Sequence, residues 1–272
     1  MPPPPFHHSS DLGAPNPPSG ARTANVGKEA DLYPFPETAD IETASEDYAR
    51  RFSGKVGSWF LKVQEEATLR MLSSYPGASI LDVGGGHGQL TDALIRNEYQ
   101  VTVLGSSEIC KMRIQNMVNE GRCSFKVGNI LDLPYPRQAF DVVLSYRLLP
   151  HVTRWREFAS ELTRVARKAV VVDYPTIRSI NYIAPLLFQL KKRMEGNTRP
   201  FNSFKESDLF ERFESLGFIR ADRYPEFFFP MVLHRSLKFP VFSNTAERIC
   251  RLSGLTYLFG SPVILKLIRI TR

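Results

Sequence analysis

A chain of 272 residues, 43% hydrophobic and 23% charged, has the composition of a soluble globular protein with one good core and at most a small added module. Its net charge of +7 suits acidic partners or an anionic surface, peripheral membrane contact included, but the cations are spread along the chain and read first as a solvated surface. Nucleic-acid binding is not expected without a basic stripe interleaved with aromatics; Cys110, Cys123 and Cys250 are too scattered for a disulfide framework or a zinc knuckle; and no apolar run nears the ~18 residues of a membrane span.

Seven of the 20 prolines fall within the first 18 positions, so residues 1–44 read as a disordered tail that buries too little apolar surface to offset its ordering entropy. His7 and His8 stand alone there, and no metal site is expected. The N-terminus has no basic start followed by an apolar centre, and reduced thiols fit best, so the expected location is cytoplasmic. Over 45–75, Tyr48, Phe52, Val56, Phe60 and Val63 recur at helical spacing, broken by Gly54 and Gly57, which predicts two helical pieces leading into the core.

Strands and helices then alternate through 76–272. Ser79–Val83 is the first strand, a glycine loop leads into a helix over about Gln89–Asn97, and Gln100–Leu104 is the second strand. Ser106 or Ser107 caps a helix reaching about Asn119, with Ile109, Met112 and Ile114 on its apolar face. Ser124–Gly128 and Ala139–Ser145 are the third and fourth strands, Thr153 caps the helix of Trp155 and Phe158, and Ala169–Asp173 is the fifth strand. Unbroken Val, Leu and Ile runs mark strands covered on both faces, so the alternation predicts a doubly wound, mostly parallel α/β sheet. Beyond it, Ile183–Arg193 reads as a helix across the sheet and Ser207–Leu216 as a helix stopped by Gly217. Phe218 with the run Phe227–Leu233 reads as a further strand, and Ser261–Ile270 as the last.

The loop in ILDVGGGHGQL, Ile80–Leu90, aims backbone N–H groups and a helix N-terminus at a ligand. A dinucleotide fingerprint counted from Gly84 would need a third glycine where Gln89 stands. The spacing acidic-x-G-x-G-x-G is met in full by Asp82, Gly84, Gly86 and Gly88. With VGNILDLPYPRQAFDVVLSYRLLPHV, Val127–Val152, the chain resembles the class I S-adenosylmethionine-dependent methyltransferases of the small-molecule type, such as those that methylate quinone precursors. The resemblance implies a seven-stranded Rossmann-like sheet with an antiparallel last strand, preceded by N-terminal helices, and S-adenosyl-L-methionine as cofactor. It also implies that Asp82 helps hold the cofactor's amino group and that the glycines approach its methionine and ribose portions. Asn129 would contact the adenine amino group, Ile130 would pack on the adenine ring, and Ser145 and Tyr146 would lie at the ligand-binding end of the fourth strand.

One position departs from the family. Gly105 stands where an acid ends the second strand and takes the ribose hydroxyls, followed by Ser106, Ser107 and Glu108. A neighbouring serine or the backbone holds the ribose, or Glu108 reaches back, or the site is degenerate.

Methyl transfer is an in-line displacement that asks for alignment and exclusion of water, and a hydroxyl or carbon acceptor also has to lose a proton. His151, Tyr146 and Asp173 are the candidates for that proton; His151 reads equally as a structural or capping residue, and Tyr146 as a pocket wall. Tyr48, Arg51 and Trp59 are candidates for a lid, with core packing the simpler role for Trp59. The segment at about 176–206, with Phe227–Phe229, would build a pocket for a small hydrophobic or amphipathic acceptor. The alternatives are a cofactor-binding pseudoenzyme, prompted by Gly105, and a nicotinamide-dependent oxidoreductase, disfavoured by Gln89 and the missing acid. Methylation of RNA or protein lacks an appended recognition module.

Overall fold

The computed structural model describes residues 35–179, 202–237 and 239–270. Seven strands form one sheet in the order β3-β2-β1-β4-β5-β7-β6: β1 (Ser79–Val83), β2 (Gln100–Gly105), β3 (Ser124–Val127), β4 (Phe140–Ser145), β5 (Ala166–Tyr174), β6 (Phe218–Pro225) and β7 (Val263–Arg269). β1 to β5 pair in parallel, while β7 runs antiparallel between β5 and β6. This is the expected doubly wound, seven-stranded sheet with its antiparallel last strand. The chain leaves β1 toward β2 and β3 and later returns on the other side to β4, so the switch point lies between the carboxyl ends of β1 and β4.

Successive residues of the inner strands feed opposite faces. Leu81, Val143, Val170 and Leu265 enter one core, where Phe158 and Leu162 of α6 (Trp155–Val165) and Phe213 of α7 (Glu206–Ser215) cover them. Ile80, Val142, Val171 and Ile264 enter the other, under Met71 and Leu72 of α3 (Gly54–Leu72) and Leu94 of α4 (Thr91–Arg96). Burial on both sides is why these strands read as continuous apolar runs.

Several boundaries differ from the sequence reading. The tail expected through residue 44 already includes α1 (Ala39–Thr43), whose Ala39, Asp40 and Thr43 are buried. The two expected helical pieces are α2 (Glu46–Arg50) and α3; Gly57 does not interrupt α3, but a Cβ there would collide with the backbone of Phe52. The single helix expected after β2 is a 3-10 turn, Glu108–Lys111, followed by α5 (Gln115–Asn119), and its supposed apolar positions Ile109 and Met112 are exposed. Thr153 does not cap α6; Arg154 occupies that position without a side-chain bond.

Of the strand expected from Phe218 and the run Phe227–Leu233, Phe218 does open β6 at Phe218–Pro225, but the apolar run leads into α8 (Met231–Leu237). Two further helices, α9 (Pro240–Leu252) and α10 (Leu255–Phe259), complete an insertion between β6 and β7. The helix expected at Ile183–Arg193 lies outside the described residues, as does most of the expected substrate-covering segment.

Candidate active site

The glycine loop starts at Gly84 and closes at Gly88, both with positive φ (79° and 68°) that residues with a Cβ rarely adopt. Between them Gly85–His87 forms a 3-10 turn. Gly84 is also crowded: a Cβ there would stand 2.6 Å from Leu148 Cδ2 and 3.5 Å from Asp40 Cβ. A Cβ on Gly85 would fall into the carboxylate of Asp82, so this glycine is required although the motif leaves it unspecified.

Asp82 is fully buried at the end of β1, and neither carboxylate oxygen has a hydrogen-bond partner. Burial pushes its pKa up to about 7. A carboxylate in this state gains from a cation or from several donors brought to it, so the group fits the amino end of an amino-acid cofactor at this loop. His87 is buried in the same turn, its Nδ1 accepting from the N–H of Gln89 at 3.2 Å. Burial holds its pKa down, to about 3, so the ring is neutral and its Nε2 is a buried donor without a partner.

At the end of β2, glycine is dictated by packing: a Cβ on Gly105 would lie 2.6 Å from Cys110 Cβ and 3.1 Å from the Phe125 ring. A carboxylate nevertheless stands next to this position. Asp40 of α1, fully buried, accepts the backbone N–H of Ser106 at 2.6 Å, its hydroxyl at 2.5 Å and the Cys110 thiol at 3.4 Å. Burial first, and then Asp40, push the Cys110 thiol well above its usual range. Glu108, by contrast, pairs with Lys111 on the surface.

Other expected site residues are engaged in the fold. Ser145 donates its hydroxyl to Val83 O at 3.0 Å, tying β4 to β1 at the switch point. Asn129, half-buried after β3, accepts the N–H of Leu131 at 3.0 Å. Ile130 is fully buried in the core cluster that holds Leu104 and Leu133. Tyr146 is fully buried, its hydroxyl 2.7 Å from Thr68 Oγ1, and burial raises its pKa well above the usual phenol value. A phenol so placed is a poor proton acceptor at neutral pH. His151 is half-buried at the end of a 3-10 turn, Leu149–His151, next to the strand-end loop.

A second group of polar residues gathers at the carboxyl ends of β4, β5 and β6. Arg147, held at φ +59° directly after β4, donates its N–H to Asp173 at 2.6 Å and Nη2 to Gln64 at 2.8 Å. Its guanidinium carbon is 3.9 Å from the centroid of the Phe52 ring. A left-handed conformation at a residue with a Cβ is strained, and such outliers gather at functional sites. Asp173 and Glu226 are both buried; burial raises their pKa values to about 6 and about 8, with Arg147 opposing the shift in each. Oε1 of Glu226 has no hydrogen-bond partner.

Beside them lies an aromatic cluster of Tyr48, Phe52, Phe60 and Phe227. Trp59 packs on Phe227 and His234, so its role is packing, while Arg51 lies over the Tyr48 ring. Sequence reasoning missed Asp40, Gln64, Arg147 and Glu226. Arg147 and Glu226 each had a usable signal, a place just beyond the carboxyl end of a strand, and that of Glu226 was hidden by the misplaced β6. Among the described residues no cluster of three or more His, Cys, Asp or Glu could hold a metal ion, and no helix is long and apolar enough to cross a membrane. The three cysteines are free and buried.

Residues 81–172 match a protein-family profile described as a methyltransferase domain. The ajmaline N-methyltransferase of Rauvolfia serpentina is 34% identical over 100 residues, which span 35% of this chain and 34% of that enzyme. The demethylmenaquinone methyltransferase of Tropheryma whipplei is 26% identical over 64% of this chain and 80% of its own length. Across the first four curated relatives the chain spans only 23–59% of the relative's length. In fold, the magnesium protoporphyrin IX methyltransferase of Synechocystis, solved with bound SAH, superposes with a TM-score of 0.59 at 14% identity, covering 91% of this chain and all of that one.

Proposed function

We propose that the chain is a class I S-adenosylmethionine-dependent methyltransferase that moves the methyl group of S-adenosyl-L-methionine onto a small hydrophobic or amphipathic acceptor. The observation that carries this reading is the Asp82 carboxylate, buried with both oxygens unpartnered under a loop whose glycines admit nothing larger. When bound, the cofactor supplies an activated methyl group on sulfur. The residues of the chain supply position, dryness and a place for a proton.

Asp82 holds the amino group of the cofactor, and Gly84, Gly86 and Gly88 let its chain approach the backbone. Asp40 does the work of the carboxylate that Gly105 lacks. It stands at the tip of β2, anchored by Ser106 and Cys110, and would accept from the ribose hydroxyls with the lone pairs that these anchors leave unused. Of the three readings of the Gly105 departure, this joins the first, a neighbouring serine, to an acid from another element. The charge-assisted bonds it restores are worth about 1.5–3 kcal/mol each. Asn129 and Ile130 serve the adenine.

The acceptor enters beside the aromatic cluster, where Phe52 and Phe227 provide apolar walls. Asp173, ionised at neutral pH, takes the acceptor's proton; Glu226, still protonated there, donates a hydrogen bond to the acceptor. Arg147 positions Asp173 through its N–H. Tyr146, tied to Thr68, is a wall of the site, and His151 contacts the acceptor from the loop after β4.

The test has two parts. Calorimetric titration with S-adenosyl-L-methionine should show a single site, lost in Asp82→Asn. Methyl transfer from labelled cofactor to an extract should then place the label in the lipid-soluble small-molecule fraction. Label in RNA or protein would refute the acceptor class, and no heat of binding at millimolar cofactor would refute the enzyme.

A further inference from the structure

The helices between β6 and β7 are built inside out. In α9 the residues turned toward the body are Ser243, Glu247 and Cys250, at 0%, 4% and 7% exposure. The opposite face carries Val241 (80% exposed), Phe242 (63%), Ile249 (62%) and Leu252 (81%). At 100° per residue these four fall within about one third of the helix circumference. An ordinary surface helix shows the reverse pattern.

The inward polar face is specified, not accidental. Glu247 accepts the N–H groups of Phe228 and Phe229, both at 2.8 Å, and a bond from His234 Nε2 at 2.9 Å. These contacts lock the rotation of α9 and keep its apolar stripe outward. Phe239 before the helix (71% exposed) and Tyr257 of α10 (62%) are further exposed apolar side chains of the same insertion. Isolated exposed apolar residues are ordinary, but a contiguous stripe on a helix with a polar core face marks an interface.

Charge identifies the partner. Residues 231–260 contain Arg235, Lys238, Arg248 and Arg251 and only one acid, Glu247, which is buried. Apart from the buried Glu247, every formal charge in the sequence of this segment is therefore positive, and Arg248 stands exposed beside the apolar stripe. A second copy of the chain docking on the same face would bring cations against cations. Apolar and aromatic side chains interleaved with cations, on helices able to lie flat, are what an anionic lipid surface attracts: the apolar groups enter the acyl boundary and the cations meet the headgroups. The insertion also sits at a defined edge of the sheet. It leaves β6 at Pro225 and rejoins β7 at Val263, and β6 runs parallel to β5, so it rises from the same carboxyl ends that carry Arg147 and Asp173.

We infer that α8–α10 form a peripheral membrane-docking surface specific for anionic phospholipid, with Phe242, Ile249 and Leu252 as the inserted side chains. This goes beyond the methyl-transfer reading and does not depend on it.

Flotation of the full chain with phosphatidylcholine vesicles, with and without phosphatidylglycerol, tests the inference. Binding should be about tenfold or more tighter to the anionic vesicles and weaken as salt is raised. The double variant F242D/L252D should abolish flotation while the far-UV spectrum, the melting temperature and cofactor affinity stay as in the parent, and R248E should weaken it severalfold. The inference is overturned if the chain does not float with anionic vesicles, if it binds neutral vesicles equally, or if F242D/L252D floats unchanged. It is equally overturned if sedimentation in the absence of lipid shows a dimer that F242D/L252D dissolves, which would assign the face to a second copy.

Discussion

The carboxylate of Asp40 grips Ser106 twice, through its backbone N–H and its hydroxyl, across a separation of 66 residues. The tip of β2 thereby regains the acid that packing against Cys110 denies to position 105. Asp40→Asn keeps the shape and removes the charge, so cofactor affinity should fall by about 10–100-fold, corresponding to one charge-assisted hydrogen bond. Calorimetry on the variant decides the point; unchanged affinity would make Asp40 a purely structural anchor.

The same crowding makes a converse prediction. Gly105→Asp alone should lower the melting temperature, because its Cβ meets Cys110 and the Phe125 ring. Combined with Cys110→Gly in the Asp40→Asn background, it should recover part of the lost affinity. Thermal melts and titration of the triple variant measure both effects.

Asp82 should trade stability for binding. Its folded pKa, about 7, is above the unfolded value of 3.8, so the stability it contributes is full below pH 4 and is lost as pH rises through 7. Asp82→Asn should therefore make the cofactor-free chain more stable at pH 8, by about 2–4 kcal/mol at most, while cofactor binding falls more than about 100-fold. Denaturant unfolding at pH 5 and pH 8 checks the sign: a variant that gains nothing at the higher pH would contradict it.

Asp173 and Glu226 should shape the pH profile of turnover. With the acceptor fraction in hand, kcat should rise through pH about 6 as Asp173 ionises and fall through about 8 as Glu226 does, the two limbs belonging to the coupled group. Glu226→Gln retains a hydrogen-bond donor and should remove the alkaline limb. Asp173→Asn should lower kcat by about 100-fold.

Tyr146→Phe separates a wall from a base. Loss of the bond to Thr68 should cost about 1 kcal/mol of stability and leave kcat within about threefold. A hundredfold fall in kcat at unchanged cofactor affinity would restore Tyr146 as the proton acceptor, and the same assay on His151→Ala measures that residue's contact with the acceptor.

What could be read from sequence was local. The glycine loop, Asp82 and the alternation of apolar runs lie within single elements, and their spacing carries their geometry. Asp40 could not be read, because it belongs to a stretch whose composition resembles the proline-rich tail and its partner is distant in the chain. β6 was misplaced because Phe218–Pro225 interleaves apolar residues with Arg220, Asp222 and Arg223, while the Phe227–Leu233 run is strand-like in composition but leads into a helix. That displacement concealed Glu226 at a strand end. In α9 the helical period was real, but its sign was not: burial of Glu247 reverses the rule that the apolar face turns inward.

The dependence on α1 has a practical corollary for protein engineering. A chain trimmed to start at Ser45, where composition suggests folding begins, would keep the sheet, the glycine loop and every motif residue, and still lack the acid that we propose for the ribose. Such a fragment would pass for a weakly binding homologue in an assay of affinity, with its defect written outside the boundaries by which the domain is recognised.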